Sequence, residues 1–123
     1  MTYAEFNEFC GSLPATTYVM QWGGADVWKV GGKVFAIGGW NDKTAGITFK
    51  VSELEFELLR DEPGLRPAPY LASRGFKWIQ QYDEPGLSDD DLKYYLRESH
   101  RLVSLGLTKK KQKELGLNQN RDQ

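Results

Sequence analysis

Val27-Trp28-Lys29-Val30-Gly31-Gly32-Lys33-Val34-Phe35-Ala36-Ile37 reads as a two-residue β-hairpin. Two runs of β-formers flank a Gly-Gly pair, and a primed turn needs positive φ at both central positions, which glycine adopts without a Cβ clash. The spacing places Lys29 opposite Val34 and Trp28 opposite Phe35. An antiparallel sheet is therefore expected at the centre of the fold. Before the hairpin, Thr16 to Trp22 supplies a strand closed by Gly23-Gly24. After it, Gly38 to Thr44 contains the polar turn Trp40-Asn41-Asp42-Lys43, which returns the chain into a strand from Ala45 to Lys50.

Helices flank these strands. Thr2 is placed to cap a first helix with Glu5 as its reciprocal partner, and Tyr3, Phe6, Phe9, Cys10 and Leu13 recur on one face until Pro14. Ser52 and Glu55 repeat the capping pattern for a second helix, with Leu54, Leu58 and Leu59 expected on its core side and Asp61-Glu62-Pro63-Gly64 at its end. Pro67 and Pro69 force an extended connector that cannot join a central ladder, which sends Tyr70 and Leu71 across an end of the fold. Gly75 to Tyr82 alternates as a last strand, with Phe76, Trp78 and Gln80 on one face and Lys77, Ile79 and Gln81 on the other. Ser88 opens a third helix, where Leu87 can staple onto Leu92, and Asp89, Asp90 and Asp91 suit the positive end of the helix dipole. Its inner face is Leu92, Tyr95, Leu96, Ser99, Leu102 and Val103, and Gly106 ends it.

The fold class is α+β, with about five antiparallel strands and three helices on one face. One domain is expected over residues 1–106. Residues 107–123 read as a basic tail, a short helix capped by Thr108 or a partly disordered segment. Lys109, Lys110, Lys111 and Lys113 crowd positive charge around little apolar area beyond Leu107, Leu115 and Leu117.

A chain of 123 residues suits one core rather than two, and 40% hydrophobic with 27% charged residues belongs to a globular protein, not a disordered one. No apolar run approaches the ~18 residues of a membrane span. Glu5 and Glu8 near the start, with no basic region ahead of an apolar one, do not read as a secretory signal, so a cytoplasmic location is expected.

Catalytic chemistry has little to draw on. Cys10 is the single cysteine, which excludes an intrachain disulfide, and its neighbours Phe9 and Leu13 mark it as a buried, inert thiol. His100 is the single histidine and follows Ser99, but adjacent helix positions diverge by about 100°, so the two do not pair as nucleophile and base. The three aspartates at 89–91 diverge likewise, and the helix dipole accounts for them without a metal. The glycine pairs at 23–24, 31–32 and 38–39 lack the spacing of a phosphate-binding fingerprint. No catalytic residue, metal site or cofactor is expected, and the chain reads as a non-enzyme.

Charge is unevenly placed. Residues 1–105 hold 11 Lys and Arg against 15 Asp and Glu, a net −4, whereas residues 106–123 hold 5 against 2, a net +3. A dedicated nucleic-acid binder usually has a basic domain, and this body is mildly acidic.

The order of pieces from the strand ending in Phe49-Lys50 resembles the MmcQ/YjbR family. After the Ser52 cap come Leu65-Arg66-Pro67-Ala68-Pro69-Tyr70-Leu71, then Trp78 on a short strand, then Ser99-His100-Arg101-Leu102-Val103 on a helix. The likeness extends over nearly the whole chain, with His100 standing where the family more often has Tyr. It implies a CyaY-like, double-wing fold, a bacterial cytoplasmic setting, and DNA binding through two wing-like hairpins. On that basis Lys29 and Lys33 flank the first hairpin tip, Lys43 lies at the second, and Lys50, Arg66, Arg74 and Lys77 surround Tyr70 and Trp78. These seven cations are the candidate nucleic-acid contacts, with Trp40 and Tyr70 as candidate aromatic contacts. Lysines on strand edges also guard against edge pairing, so a solvated surface competes with this reading. For Lys50 and Arg66 two roles stay open: pairing with acids to lock the connector, or lining an anion pocket. Frataxin-type proteins handle iron with a carboxylate-rich ridge on the first helix. Here that helix offers only Glu5 and Glu8, so the iron role is not carried over.

The expectation is thus a non-enzymatic DNA-binding protein. Two alternatives stand beside it: a protein-interaction module using the Pro-flanked connector, exposed aromatics and basic tail, and a small-anion-binding protein built on Lys50, Arg66 and Tyr70. DNA or a protein partner is expected, and a membrane is not.

Overall fold

A computed structural model describes residues 1–39, 46–69, 71 and 75–119. The elements run α1 (Tyr3–Ser12), β1 (Thr16–Gln21), β2 (Ala25–Val30), β3 (Lys33–Gly38), β4 (Ile47–Lys50), α2 (Glu53–Leu59), β5 (Leu65–Pro67), β6 (Trp78–Gln81), α3 (Asp89–Leu105) and α4 (Lys109–Leu115). The strands form one antiparallel sheet in the order β1-β2-β3-β4-β6-β5.

The capping residues do what their positions require. Thr2 accepts from the Glu5 amide while the Glu5 carboxylate accepts from the Thr2 amide, and Ser52 and Glu55 repeat the exchange at α2. Ser88 caps α3 through the Asp91 amide, and Thr108 caps α4 through the Lys111 amide. At α2 the buried face is Phe56 and Leu59, whereas Leu54 and Leu58, expected inward, are exposed. With Ser52 as cap, the short helix meets the sheet through the 56/59 pair, and a helix of two turns has only one such stripe to bury.

The sheet gains a sixth strand because Leu65–Pro67 pairs with β6 at the outer edge. Pro67 costs no ladder bond there, since an edge strand leaves alternate amides unpaired, and the Ala68 amide resumes pairing with the Trp78 carbonyl at 2.9 Å. A fourth helix joins the three, on the Thr108 cap that the sequence offered. α4 is not a loose tail: Leu107 and Leu117 are buried in the main core, Leu115 packs against it, and Gln112 donates to the Leu105 and Leu107 carbonyls. The boundary expected at residue 106 falls inside this packed junction.

The 31–32 hairpin has the predicted Lys29–Val34 pair, next to a Val30–Lys33 pair at the turn, but Trp28 faces Ala36, not Phe35. A β-bulge between Trp28 and Lys29 accommodates the extra residue. Phe35 and Ala36 are consequently both in the core under the helices, contrary to strict alternation. The bulge also opens the seam to β4, and the Ser99 hydroxyl of α3 fills it. It donates to the Phe35 carbonyl at 2.6 Å and accepts from the Lys50 amide at 2.8 Å.

Strand alternation then sorts the sheet into two faces. The helix side carries Val30, Phe35, Phe49 and Ile79, packed by Phe6 and Cys10 of α1 and by Leu92 and Leu96 of α3. Each such side chain contributes roughly 1.5–3 kcal/mol by leaving water. The second face carries a smaller buried group, Ala25, Val27 and Ile37 flanked by Val19 and Val34, and then the polar row Thr48, Gln80 and Arg66.

Candidate functional site

On the second face, β-strand geometry brings three of the predicted cations to a common side. Lys29 shares its row with Val34, Lys50 is paired with Trp78, and Arg66 is paired with Gln80. All three are half-buried. With strands about 4.8 Å apart, Lys29 on β2 and Arg66 on β5 sit four strands, roughly 20 Å, from each other, with Lys50 between them.

Arg66 is held by neutral groups. Its Nε donates to Gln80 Oε1 at 2.9 Å, its guanidinium carbon lies 4.4 Å from the centre of the Tyr82 ring, and Gln80 Nε2 donates in turn to Thr48 Oγ1 at 3.3 Å. The connector is thus anchored by an amide and a ring, and no acid neutralises Arg66 among the described residues. The strands contain a single carboxylate, Asp26, and it lies on the helix side, where Asn7 and Tyr18 bind it at 3.2 and 2.6 Å. The second face therefore carries cations and, among the described strand residues, no acid.

Lys33 and Lys77 lie on the other side. Lys33 Nζ reaches the Gly106 carbonyl at 3.5 Å at the C-terminal end of α3, where a cation suits the dipole, and Lys77 Nζ lies 4.9 Å from the Phe56 ring centre. Lys43, Arg74, Trp40 and Tyr70 fall outside the described residues. The first hairpin tip is docked instead of projecting: a Cβ on Gly31 would stand 2.5 Å from Leu107 Cδ1.

The residues with chemical potential are committed elsewhere. His100 is buried, its Nε2 bonded to the Pro14 carbonyl at 2.8 Å and its ring edge-on to Phe35 at 5.2 Å. Burial lowers its pKa, and the Pro14 bond offsets part of that. Ser99 spends its hydroxyl on two backbone groups, and burial pushes the Cys10 thiol well above its ordinary range. Among the described residues no group of three His, Cys, Asp or Glu side chains could hold a metal ion, and no helix is long and apolar enough to cross a membrane.

A cleft of about 810 Å³ opens at the other end of β6, between Tyr3, Ile47, Tyr82 and the acidic rim Asp83, Glu84 and Asp89. None of the described residues lining it is Lys or Arg, so Lys50 and Arg66 do not converge there. Sequence reading missed a further feature. Tyr18, Met20 and Trp22 are 45%, 62% and 52% exposed along edge strand β1 and its turn. Their period-2 spacing is visible in the sequence, but the edge position of β1 is not.

The chain is similar to solved structures of the same architecture. The crystal structure of Deinococcus radiodurans protein DR2400, which carries the DUF419 domain of the YjbR/MmcQ family, superposes with a TM-score of 0.80 at 25% identity, covering 94% of this chain and 88% of that one. No curated protein matches the chain. A family model, YjbR, matches residues 11–102, from the end of α1 through the Ser99–Val103 stretch of α3, and the chain belongs to the YjbR family.

Proposed function

We propose that this protein is a non-enzymatic, cytoplasmic nucleic-acid-binding protein, with DNA as its ligand and the half-buried cations Lys29, Lys50 and Arg66 on the second face of the sheet as its contacts. One observation carries the reading: in a body of net negative charge, the strand positions turned away from the helices hold Lys29, Lys50 and Arg66 and, among the described residues, no carboxylate. Phosphates attract such a row without base reading, so the binding is sequence-independent and strongly salt-dependent. The commitment of Ser99, His100 and Cys10 to structural contacts supports the non-enzymatic part. The test is a fluorescence anisotropy titration of labelled duplex and single-stranded DNA at about 50 and 200 mM salt. Binding that weakens with salt and is reduced in a Lys29→Glu, Lys50→Glu variant supports the reading, and no binding at the lower salt removes it.

A second reading, a protein-interaction surface, is favoured by the row Tyr18, Met20 and Trp22. Tyr18 and Met20 stand on an edge strand, with Trp22 in the turn just beyond it, and no charged residue lies from Thr16 to Gln21, where lysines commonly discourage edge pairing. Substitution of Met20 by Lys abolishes any association that runs through this edge and leaves DNA affinity unchanged.

A further inference from the structure

We propose that α4 forms, with Lys33, a second phosphate-contacting surface that docks the backbone of duplex nucleic acid independently of the sheet face. This rests on the nucleic-acid reading above and adds a site to it. Lys109, Lys110, Lys111 and Lys113 are all exposed on this helix, and no ion pair engages any of them among the described residues. At 100° per residue, Lys110 and Lys113 lie on the arc opposite Gln112 and Leu115, the two positions that face the body, with Lys109 at its margin and Glu114 on the same arc one turn from Lys110. Glu114 is the only acid on the helix.

The array is rigidly placed. Leu107 and Leu117 bracket α4 in the core, Leu107 fills the space against Gly31 at the hairpin tip, and Asn118 donates to Ser104 and Gln112 at 3.0 Å each. Lys33, on the Gly106 carbonyl, brings a fifth cation to the same junction. A fixed fan of lysines on a folded element loses less conformational freedom on binding than a mobile tail would. The outer arc holds no apolar residue, which an interfacial membrane helix would need, so a phosphodiester backbone fits it better than a bilayer. The family match ends at residue 102, before this helix begins.

The test uses the full chain, because removing residues 107–123 would take Leu107 and Leu117 out of the core. A Lys109→Ala, Lys110→Ala, Lys113→Ala variant is titrated with a labelled 20-base-pair duplex across a salt series, alongside wild type, the matching triple Arg variant, and vesicles containing phosphatidylserine. Circular dichroism confirms that each variant is folded. Loss of three phosphate contacts weakens duplex binding at least about tenfold at low salt and flattens the log–log salt slope by roughly 2 to 3, while the Arg variant keeps both. Unchanged affinity and slope in the Ala variant, with wild type binding, overturn this inference and leave the sheet-face reading standing. Absence of wild-type binding overturns both. Vesicle binding that depends on these lysines, without duplex binding, also overturns it in favour of a lipid surface.

Discussion

Two Gly-Gly turns close the two hairpins at the start of the sheet, and they differ in what lies beside them. At Gly31-Gly32 the turn is packed, with Leu107 close enough to occupy the place of a Gly31 side chain. At Gly23-Gly24, which joins β1 to β2, a Cβ on either glycine would meet nothing within 4 Å, and Trp22 beside them is half-exposed. The same dipeptide marks an anchored tip in one case and an open one in the other. The docked tip fixes Lys33 beside α4, while the open tip extends an uncharged edge strand into solvent.

The difference is measurable. Truncation of Leu107 to Ala removes the side chain that seals the docked tip and leaves a cavity in the core. The expected loss is about 2–4 kcal/mol by urea denaturation, and a cost under ~1 kcal/mol would mean the tip is not anchored there. Gly31→Ala, at φ +59° and against Leu107, costs about 2–3 kcal/mol, while Gly23→Ala, at φ +76° in open space, costs only the left-handed backbone penalty of about 1–2 kcal/mol. Equal losses in the two variants would erase the contrast. Ser99→Ala leaves the Lys50 amide without its partner beside the bulge and costs about 1–2 kcal/mol. Hydrogen exchange at that amide should accelerate well before the rest of the sheet.

The smallest expected effect depends on pH. His100 links the Pro14 carbonyl, just ahead of the open hairpin's first strand, to Phe35 of the docked one. Its folded pKa is depressed by burial, so the unfolded chain takes up a proton first as pH falls through about 6.5. Stability therefore declines from that point down to the folded pKa and is level with respect to this group below it. A His100→Gln variant should lose less stability than wild type between pH 7.5 and 5.5, and an identical loss would detach His100 from the effect.

Much of the architecture was legible because it rests on local chemistry. Thr2 with Glu5, Ser52 with Glu55, Ser88 and the Gly31-Gly32 pair each specify a backbone conformation within four residues, and each stands where the spacing placed it. What was not legible depends on contacts between distant segments. The bulge that sets Ala36 beside Phe35 on the helix side lies against Ser99, which bonds the Phe35 carbonyl from 64 residues away. The inward face of α2 is chosen by the sheet edge it meets, so two of the three leucines assigned to the core are in solvent. The lysines of α4 read as a short capped helix or a partly disordered tail, because three isolated leucines are little apolar area in sequence, and their worth is visible only where the core leaves room for them. The site followed the same division. Alternation put Lys29, Lys50 and Arg66 on one side, but the neutral partners of Arg66 and the diversion of Lys33 and Lys77 to the helix side are products of tertiary packing.

Burial of Leu107 and Leu117 bears on how the molecule is made. Synthesis proceeds from the amino end, so every strand and the three longer-range helices emerge before the residues that plug the interior beneath the first hairpin. A nascent chain halted near residue 105 would have its sheet available but a gap in its apolar centre, and would remain a target for proteases and chaperones. Completion of the fold is thereby tied to the arrival of a short stretch that also carries the densest positive charge, so that the fully packed body and its cationic end mature together.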